Sequence, residues 1–293
     1  MVDAVITYVD GNDPLWQEDY RNALPDKPLG KRFRDWGTLP YLLRGIRKFM
    51  PFVDNVYLVV SRASQVPAWA DTSRLKVVVH ADIIPEGCLP LFNSASIEMF
   101  LHRIPGLKDR YIYFNDDFFP VSPCREDDFF RDGKAVTGFS DCLFSFNMYK
   151  RQCRNSDRMA RRAAGKACRI TFKRPQHTCA SMLRPLCEEL YSAHEDEILQ
   201  SVSTLREDKN FNQYLFSDYF LHKGMAIDKR ISNKHLSLGT SDKSKVSSFL
   251  RCPTSSIVCI NDVEMSQMRF QTVRASIIGA FDSILPEKSE FEK

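Results

Sequence analysis

The sequence predicts an α/β fold with a mostly parallel sheet and a helical C-terminal portion. Short runs rich in β-branched and aromatic residues have the length and composition of buried strands. Segments with a helical spacing of apolar residues separate these runs, and such segments dominate the chain beyond Gly165. Strands that alternate with helices are typical of a parallel sheet with helices packed on its faces.

The predicted strands cover residues 4–9, 55–60, 75–80 and 111–114, and a later β-like run covers residues 256–260. Polar clusters follow the first, second and fourth of these strands, with the sequences "YVDGNDPLW", "SRASQ" and "NDD". Ligands of open α/β sheets bind outside the carboxyl ends of the strands. We therefore expect the three clusters to meet in one pocket.

Helical spacing predicts helices over residues 39–50 and 97–104, which end before Pro51 and Pro105. Asn93 or Ser94 is the expected N-cap of the second helix. Further helices are predicted at residues 180–192, 211–222 and 268–285. The last has an apolar face, so the C-terminus should be a docked helix rather than a loose tail.

The chain divides into an α/β part (1–149), a basic segment (150–174) and a mainly helical part (175–293). The basic segment contains ten Lys or Arg residues and a single acid, Asp157. Such a segment is either a solvated loop or helix, or an attachment site for an anionic membrane surface or a polyanion. The net charge of +4 is modest and does not indicate a nucleic-acid partner.

The composition, with 43% hydrophobic and 27% charged residues, is typical of a soluble globular protein. The nine cysteines form no C-x-x-C pair, which favours free thiols in a reducing compartment. No run approaches the roughly 18 apolar residues of a membrane span, and the first residues lack the pattern of a secretion signal. We therefore expect a cytoplasmic protein, at most peripheral on the inner face of the membrane.

The pair Asp116 and Asp117, preceded by Asn115, is the most informative acidic motif. Adjacent carboxylates at a strand end are suited to Mg²⁺ or Mn²⁺, which prefer oxygen ligands. The alternative is a turn whose side chains cap backbone donors. Burial between aromatic residues would make unpaired charges costly, so this pair needs compensation.

Other candidate residues have an ordinary structural alternative. Asp10 lies in an Asp-Gly turn after the first strand, and Asp262 ends the late β-like run. His177, beside basic residues, suits phosphate chemistry but is equally compatible with a structural role. Arg206 would by default form a surface salt bridge, and Arg34, with its neighbours Arg32 and Asp35, could equally be solvated. No P-loop, dinucleotide-binding, G-x-S-x-G or His-Glu-x-x-His motif is present.

Four blocks together resemble the Stealth family, which includes bacterial capsular polysaccharide phosphotransferases and the animal N-acetylglucosamine-1-phosphotransferase. They are "DAVITYVDGNDPLW", "RFRDWGTLPYLLRGI" continuing through "LPLFNSASIEMFLHRIPGLKDRYIYFNDDFF", "RPQHTCASMLRPLCEELY" with "STLREDKNF", and "SSIVCINDVEM". They occur in the family's order. Tyr8 stands where the family usually has Trp, and "CASM" replaces the "MPHM" of animal members after His177, which bears on acceptor specificity.

This resemblance implies a glycosyltransferase-like (Rossmann-like) fold and a divalent metal. It implies transfer of a sugar 1-phosphate, of the N-acetylhexosamine type, from a UDP-sugar to a sugar hydroxyl, with release of UMP. Residues 1–149 would bind the nucleotide sugar and residues 175–293 would complete the same catalytic domain. A metal-dependent glycosyltransferase that releases UDP, and a non-catalytic protein that binds polyanions or membrane surfaces, are the alternatives. The implied roles are catalytic for Asp117, His177 and Arg206, substrate-binding for Asp10, Arg34, Asn93 and Ser94, and metal-binding for Asp116 and Asp262.

Overall fold

The computed structural model describes residues 1–29, 33–239 and 243–293. The strands are β1 (Val2–Thr7), β2 (Val53–Val60), β3 (Lys76–Val79), β4 (Arg110–Asn115), β5 (Phe118–Pro120), β6 (Phe130–Arg131), β7 (Lys134–Thr137), β8 (Phe139–Cys142), β9 (Phe172–Pro175), β10 (Ala180–Leu183), β11 (Ala226–Asp228), β12 (Asn233–Ser237) and β13 (Ile257–Asn261). The helices are α1 (Pro14–Ala23), α2 (Leu39–Phe49), α3 (His80–Ile83), α4 (Ser94–Glu98), α5 (Met148–Ala163), α6 (Arg184–Ala193), α7 (Glu195–Ser201), α8 (Tyr214–His222), α9 (Lys243–Arg251) and α10 (Gln267–Ile284).

The central sheet has the strand order β10-β4-β1-β2-β3. All neighbouring pairs are parallel except β10 with β4, which is antiparallel. β1 is the middle strand, and Val2, Ala4, Val5 and Ile6 are fully buried. Apolar side chains on both faces are what a sheet covered by helices on both sides requires. The predicted α/β fold with a mostly parallel sheet is confirmed.

Helix α2 forms where the sequence predicts it and covers one edge of the structure. Pro40 lies in its first turn, where the missing N–H costs nothing, and the helix ends before Pro51. A side chain at Gly45 would collide with the carbonyl oxygen of Pro120, so glycine allows α2 to approach β5 closely. This contact holds β5, and the turn before it, against the sheet.

A smaller sheet of β12, β13 and β5 continues from the central one. β5 follows β4 after the turn at Asp116 and Asp117, and pairs antiparallel with β13. β13 is the late β-like run that the sequence predicts, and α10 packs its Phe270, Val273 and Ile277 into the core. The C-terminal helix is therefore docked, as predicted.

Two helix predictions are wrong in part. The predicted helix at 180–192 is helical only from Arg184, because residues Ala180–Leu183 form the edge strand β10. The predicted helix at 97–104 is a short helix, α4, that begins at Ser94 with Asn93 as its N-cap, followed by a 3-10 turn. The C-terminal portion is helical but also contributes four strands, β10 to β13.

The basic segment is mostly helix α5. Several of its cations are paired with acids from other parts of the chain: Arg151 with Asp208, Arg162 with Glu197 and Lys173 with Asp141. Asp157, its single acid, is buried and accepts hydrogen bonds from Arg161 and His222. Within the described ranges, every cysteine is free and no helix is long and apolar enough to cross a membrane.

Candidate active site

The carboxyl ends of β1 and β4 open into a cavity of about 630 Å³. This volume lies within the range of small-molecule sites, roughly 300 to 1,000 Å³. Most of the residues singled out from the sequence line it. These are Arg34, Asn93, Ser94, Asp116, Asp117, His177, Arg206 and Asp262.

Asp10 is the exception, because it is not among the described residues that line the cavity. Its Oδ1 accepts hydrogen bonds from the backbone N–H and the side-chain amide of Asn12, at 2.8 and 2.9 Å. Asp13 in the same turn caps α1 by accepting from the Leu15 N–H at 3.0 Å. The carboxylates of this turn therefore shape the backbone, which is the structural alternative that the sequence left open.

The acidic side of the cavity consists of Asp116, Asp117 and Asp35. Burial raises the pKa of Asp116 to about 8, and the neighbouring carboxylates of Asp117 and Asp35 add to this shift. Burial also raises the pKa of Asp117 to about 6, against a hydrogen bond from Cys259 that lowers it. The Oδ1 atom of Asp117 is buried and has no hydrogen-bond partner in the described chain.

These carboxylates fit a divalent cation. Three acids close together in a buried pocket repel each other, and an unpartnered carboxylate oxygen is costly to keep there. A cation would relieve both penalties, and oxygen donors are the ligands that Mg²⁺ and Mn²⁺ prefer.

Asp35 is better placed than Asp262 to share such a cation with Asp116, because the Asp35 charge is one of those that raise the pKa of Asp116. Hydrogen bonding does not separate the two acids. Asp262 accepts from Trp36 Nε1 at 3.0 Å and from a backbone N–H at 2.6 Å, and Asp35 Oδ1 accepts from the Gly37 N–H at 2.9 Å. Burial raises the pKa of both carboxyl groups. Asp35 is a site residue that the sequence alone does not single out.

The cationic side is formed by Arg34 and Arg206. Both terminal nitrogens of Arg34 are buried without a hydrogen-bond partner in the part of the chain that the structure describes. Its guanidinium carbon lies 4.5 Å from the centroid of the Phe270 ring, which fixes the plane of the group. Arg206 is exposed and donates to Ser94 Oγ at 2.6 Å. Unpaired guanidinium donors beside a cavity are suited to bind phosphate oxygens.

Asn93 holds the loop that carries Arg206. Its side-chain amide donates to the carbonyl oxygens of Ser203 and Leu205, at 3.4 and 3.3 Å, and to Asn210 Oδ1 at 3.0 Å. Its Oδ1 caps α4 by accepting from the Ala95 N–H at 3.1 Å. Since both groups are occupied inside the protein, the geometry favours a positioning role over direct contact with a ligand.

His177 lies between β9 and β10, opposite the acidic turn. Its Nδ1 is 3.1 Å from the Tyr214 hydroxyl oxygen, and Nε2 is 4.0 Å from Cys259 Sγ. The Cys259 thiol donates to Asp117 Oδ2 at 3.4 Å, so it lies between the two groups. Burial lowers the pKa of His177 to about 4, and nearby His235, Arg174 and Arg206 lower it further. The imidazole is therefore neutral near pH 7.

A buried polar cluster fixes the end of β4, directly before the acidic turn. The Tyr113 hydroxyl donates to Asn115 Oδ1 at 2.7 Å and lies 2.9 Å from Thr7 Oγ1. Glu98 accepts from the Gln213 N–H at 2.7 Å, and burial raises its pKa to about 7. These contacts fix the end of β4, and with it the direction of the two aspartates that follow.

Known proteins resemble the chain in sequence. The family model described as Stealth protein CR2, conserved region 2, matches residues 32–137. The capsular polysaccharide phosphotransferase WcwK of Streptococcus pneumoniae is 29% identical over 334 residues, covering 99% of each chain. A capsular polysaccharide phosphotransferase of Actinobacillus suis is 31% identical over 78% of this chain and 66% of its own length.

Among solved structures, the galactosyltransferase LgtC in complex with donor and acceptor sugar analogues resembles the chain with a TM-score of 0.41. The two sequences are 10% identical over 94% of this chain and 96% of that chain.

Proposed function

Because the chain belongs to the Stealth family and is a phosphotransferase, we propose that it transfers a sugar 1-phosphate from a UDP-sugar to a sugar hydroxyl and releases UMP. The sugar would be an N-acetylhexosamine, and the product a capsular or extracellular polysaccharide. One observation carries the proposal. A single cavity has crowded carboxylates on one side and, on the other, the Arg34 guanidinium, whose terminal nitrogens have no partner among the described residues. A nucleotide diphosphate bound with a metal ion complements both sides.

Arg34 and Arg206 would bind the diphosphate oxygens. The terminal N–H groups of Arg34 are buried, lie in a fixed plane and have no partner within residues 1–29, 33–239 and 243–293, so none of these contacts has to be given up on binding. Arg206 lies 112 residues after Ser94 in the sequence and donates a hydrogen bond to the Ser94 hydroxyl at the cavity. Charge-assisted contacts of this kind are roughly twice as strong as neutral hydrogen bonds.

Asp116 and Asp35 would hold Mg²⁺ or Mn²⁺, with Asp262 as a further ligand. The crowding of carboxylates supports this assignment: burial raises the pKa of Asp116 to about 8, and the charges of Asp117 and Asp35 contribute to that rise. When bound, the ion supplies charge neutralisation for the diphosphate, which is the main requirement of phosphoryl transfer.

Asp117 or His177 would take the proton from the acceptor hydroxyl. This hydroxyl oxygen attacks the phosphorus next to the sugar. The bond from that phosphorus to the oxygen that bridges the two phosphates breaks, and UMP leaves in line with the attacking oxygen. Both candidates are competent near pH 7, since the pKa of Asp117 is about 6 and that of His177 about 4. Cys259 lies between them and keeps Asp117 Oδ2 aimed at that part of the cavity.

Asn93 and Asp10 would act through the backbone. Asn93 positions the loop of Arg206, and Asp10 shapes the turn after β1. In this account neither residue contacts the substrate, although the family resemblance would allow it.

The test is to incubate the purified chain with a panel of UDP-sugars, glycan acceptors and Mg²⁺ or Mn²⁺, and to identify the released nucleotide. UMP together with a phosphodiester product is expected. UDP as the released nucleotide would instead identify a glycosyltransferase, and no turnover of any donor would favour a binding protein. The variant Asp196→Asn, which alters an exposed acid of α7, is a matched control for aspartate substitutions in the cavity.

A further inference from the structure

A surface beside the cavity exposes large apolar side chains that nothing in the proposed reaction uses. We define the apolar tip as Leu143, Phe144, Phe146 and Ile170. Phe146 and Ile170 are 80% and 83% exposed, and the other two are at least half exposed. An exposed apolar cluster of this kind usually marks an interaction site rather than ordinary surface.

The fold brings these residues together at one end of a two-stranded ribbon. β8 and β9 pair antiparallel, and Cys142 opposite Phe172 is their final pair. Leu143 directly follows β8, while Ile170 comes two residues before β9, so both lie at the same end. The rings of Phe144 and Phe146 stack with centroids 5.2 Å apart, which keeps them together in solvent.

Two cations precede Ile170 of the apolar tip in the sequence. Residues 166–170 are exposed, and this stretch contains Lys166 and Arg169 immediately before Ile170. Neither forms an ion pair with the residues that the structure describes, unlike Arg151, Arg162 and Lys173 in the same basic segment. Free cations around an apolar tip complement a surface that is anionic outside and apolar within, which is the arrangement of an anionic bilayer.

The apolar tip is also connected to the active site. Helix α5 begins at Met148, two residues after Phe146, and its Tyr149 ring lies 6.2 Å from the His177 ring. The Tyr149 hydroxyl is 3.0 Å from that of Tyr214, which in turn contacts His177. A surface bound by the tip would therefore lie beside the cavity.

We propose that the apolar tip and the cations beside it dock on an anionic lipid bilayer, so that the cavity faces acceptor glycans anchored in that membrane. Leu143 and Ile170 favour lipid over a glycan, because aliphatic side chains have no ring face to stack on a sugar. Lys166 and Arg169 disfavour a second copy of the chain, because a two-fold contact through the tip would bring these like charges together. The choice of acceptor rests on the proposed function, but the docking itself does not.

The docking test uses the full chain and vesicles of phosphatidylcholine with or without phosphatidylglycerol, with no donor present. Sedimentation with the phosphatidylglycerol vesicles is expected, and it should weaken as salt increases. In the double variant Phe144→Ser, Phe146→Ser, affinity should fall at least about tenfold for each ring, from the free energy of burying a phenylalanine side chain. Met268→Ser removes an apolar residue that is 79% exposed elsewhere on the surface and should leave vesicle binding unchanged.

The insertion of the tip can be observed separately in a Phe146→Trp variant. Its tryptophan emission should shift to shorter wavelength with phosphatidylglycerol vesicles and not with phosphatidylcholine alone. Binding that is equal in the wild type and the double variant would overturn the proposal. So would binding to polyphosphate but not to vesicles, or a dimer in the absence of lipid that the double variant converts to monomer.

The acceptor assignment has its own test. UMP release with a soluble acceptor should be the same for the wild type and the double variant, because the tip does not line the cavity within the described chain. With a lipid-anchored acceptor displayed on phosphatidylglycerol vesicles, the wild type should be at least tenfold faster than the double variant. Equal rates on the displayed acceptor would overturn this assignment while leaving the phosphotransferase activity intact.

Discussion

The acidic and the cationic sides of the cavity are built in different ways. Asp116 and Asp117 are adjacent and lie directly after β4, where the parallel sheet fixes their position. Arg206 lies 112 residues away from Ser94, its contact in the cavity, and its loop is held by hydrogen bonds from Asn93. The acidic side is therefore rigid and electrostatically strained, while the cationic side depends on a few polar contacts between distant segments. Substitutions on the two sides should have different signatures.

The largest expected effect is that of Asp117→Asn on turnover. Loss of a general base typically reduces the rate by about 10² to 10⁴. Stability should change in the opposite direction. Because burial raises the folded-state pKa of Asp117 to about 6, the folded state favours the protonated form, and the free energy of unfolding falls as pH rises from about 4 to about 6 and levels off above that.

An uncharged asparagine removes this penalty, so the free energy of unfolding at pH 7 should rise by about 3 kcal/mol. UMP release and urea denaturation measure the two effects, with Asp196→Asn as the control. A variant that loses activity and stability together would indicate damage to the fold, and near wild-type UMP release would reject the role of Asp117.

Arg206→Ala should have the next largest effect, on the cationic side. Removal of one donor that stabilises developing charge typically costs about 10² to 10³ in rate. Stability should be nearly unchanged because Arg206 is exposed. Arg206→Lys keeps the charge but loses the planar guanidinium, so its kcat/KM should lie between those of the wild type and Arg206→Ala. Arg251→Ala, an exposed arginine of α9, is the matched control. Equal kcat/KM for the alanine variant and the wild type would remove Arg206 from the site.

The metal assignment separates Asp35 from Asp262. We expect Asp35→Asn to weaken Mn²⁺ binding at least about tenfold, since even an indirect contact to a metal ligand is typically worth 10- to 100-fold. Asp262→Asn should have a smaller effect because Asp35, and not Asp262, is a neighbouring charge that raises the pKa of Asp116. Electron paramagnetic resonance titration of Mn²⁺ measures both affinities without substrate. The reverse order would restore Asp262 as the main partner of Asp116.

The smallest predicted effect is the pH dependence of turnover. If Asp117 is the base, the rate should fall about tenfold per pH unit below its pKa of about 6, because the protonated carboxyl cannot accept a proton. If His177 is the base, the same loss should begin near pH 4. A pH profile of kcat/KM, measured with saturating metal, distinguishes the two. An acid limb near 6 that persists in Asp117→Asn would contradict the first assignment.

Much of the central sheet, and the acidic turn at its edge, can be predicted from the sequence. The four parallel strands of the central sheet, β1 to β4, and helix α2 have patterns that depend on neighbouring residues alone, so local periodicity is sufficient. Asp116 and Asp117 are recognisable because two carboxylates follow a strand and precede two phenylalanines. The predicted helix at 180–192 fails at its start because the partner of Ala180–Leu183 is β4, a pairing that no local pattern encodes.

The contacts between distant segments could not be predicted in this way. Asp35 follows Arg34 and resembles a solvated charge in the sequence, but packing of α10 near it excludes water and puts Arg274 beside it. The position of Cys259 between Asp117 and His177 depends on β13 pairing with β5. These positions follow from tertiary packing, and the sequence signals for them are the two blocks of the Stealth resemblance in which they lie, "RFRDWG" for Asp35 and "CIND" for Cys259.

If both sides of the cavity promote attack at the phosphorus next to the sugar, the bond from that phosphorus to the sugar stays intact, and an oxygen label in this bond shows whether it does. A UDP-sugar carrying ¹⁸O between the sugar anomeric carbon and its phosphorus is incubated with the chain, a glycan acceptor and Mg²⁺, and the products are separated by mass spectrometry. The label should remain in the phosphodiester product, and the released UMP should carry none. Label recovered in UDP, with an unphosphorylated glycan product, would show that the anomeric C–O bond breaks and would rule out phosphoryl transfer.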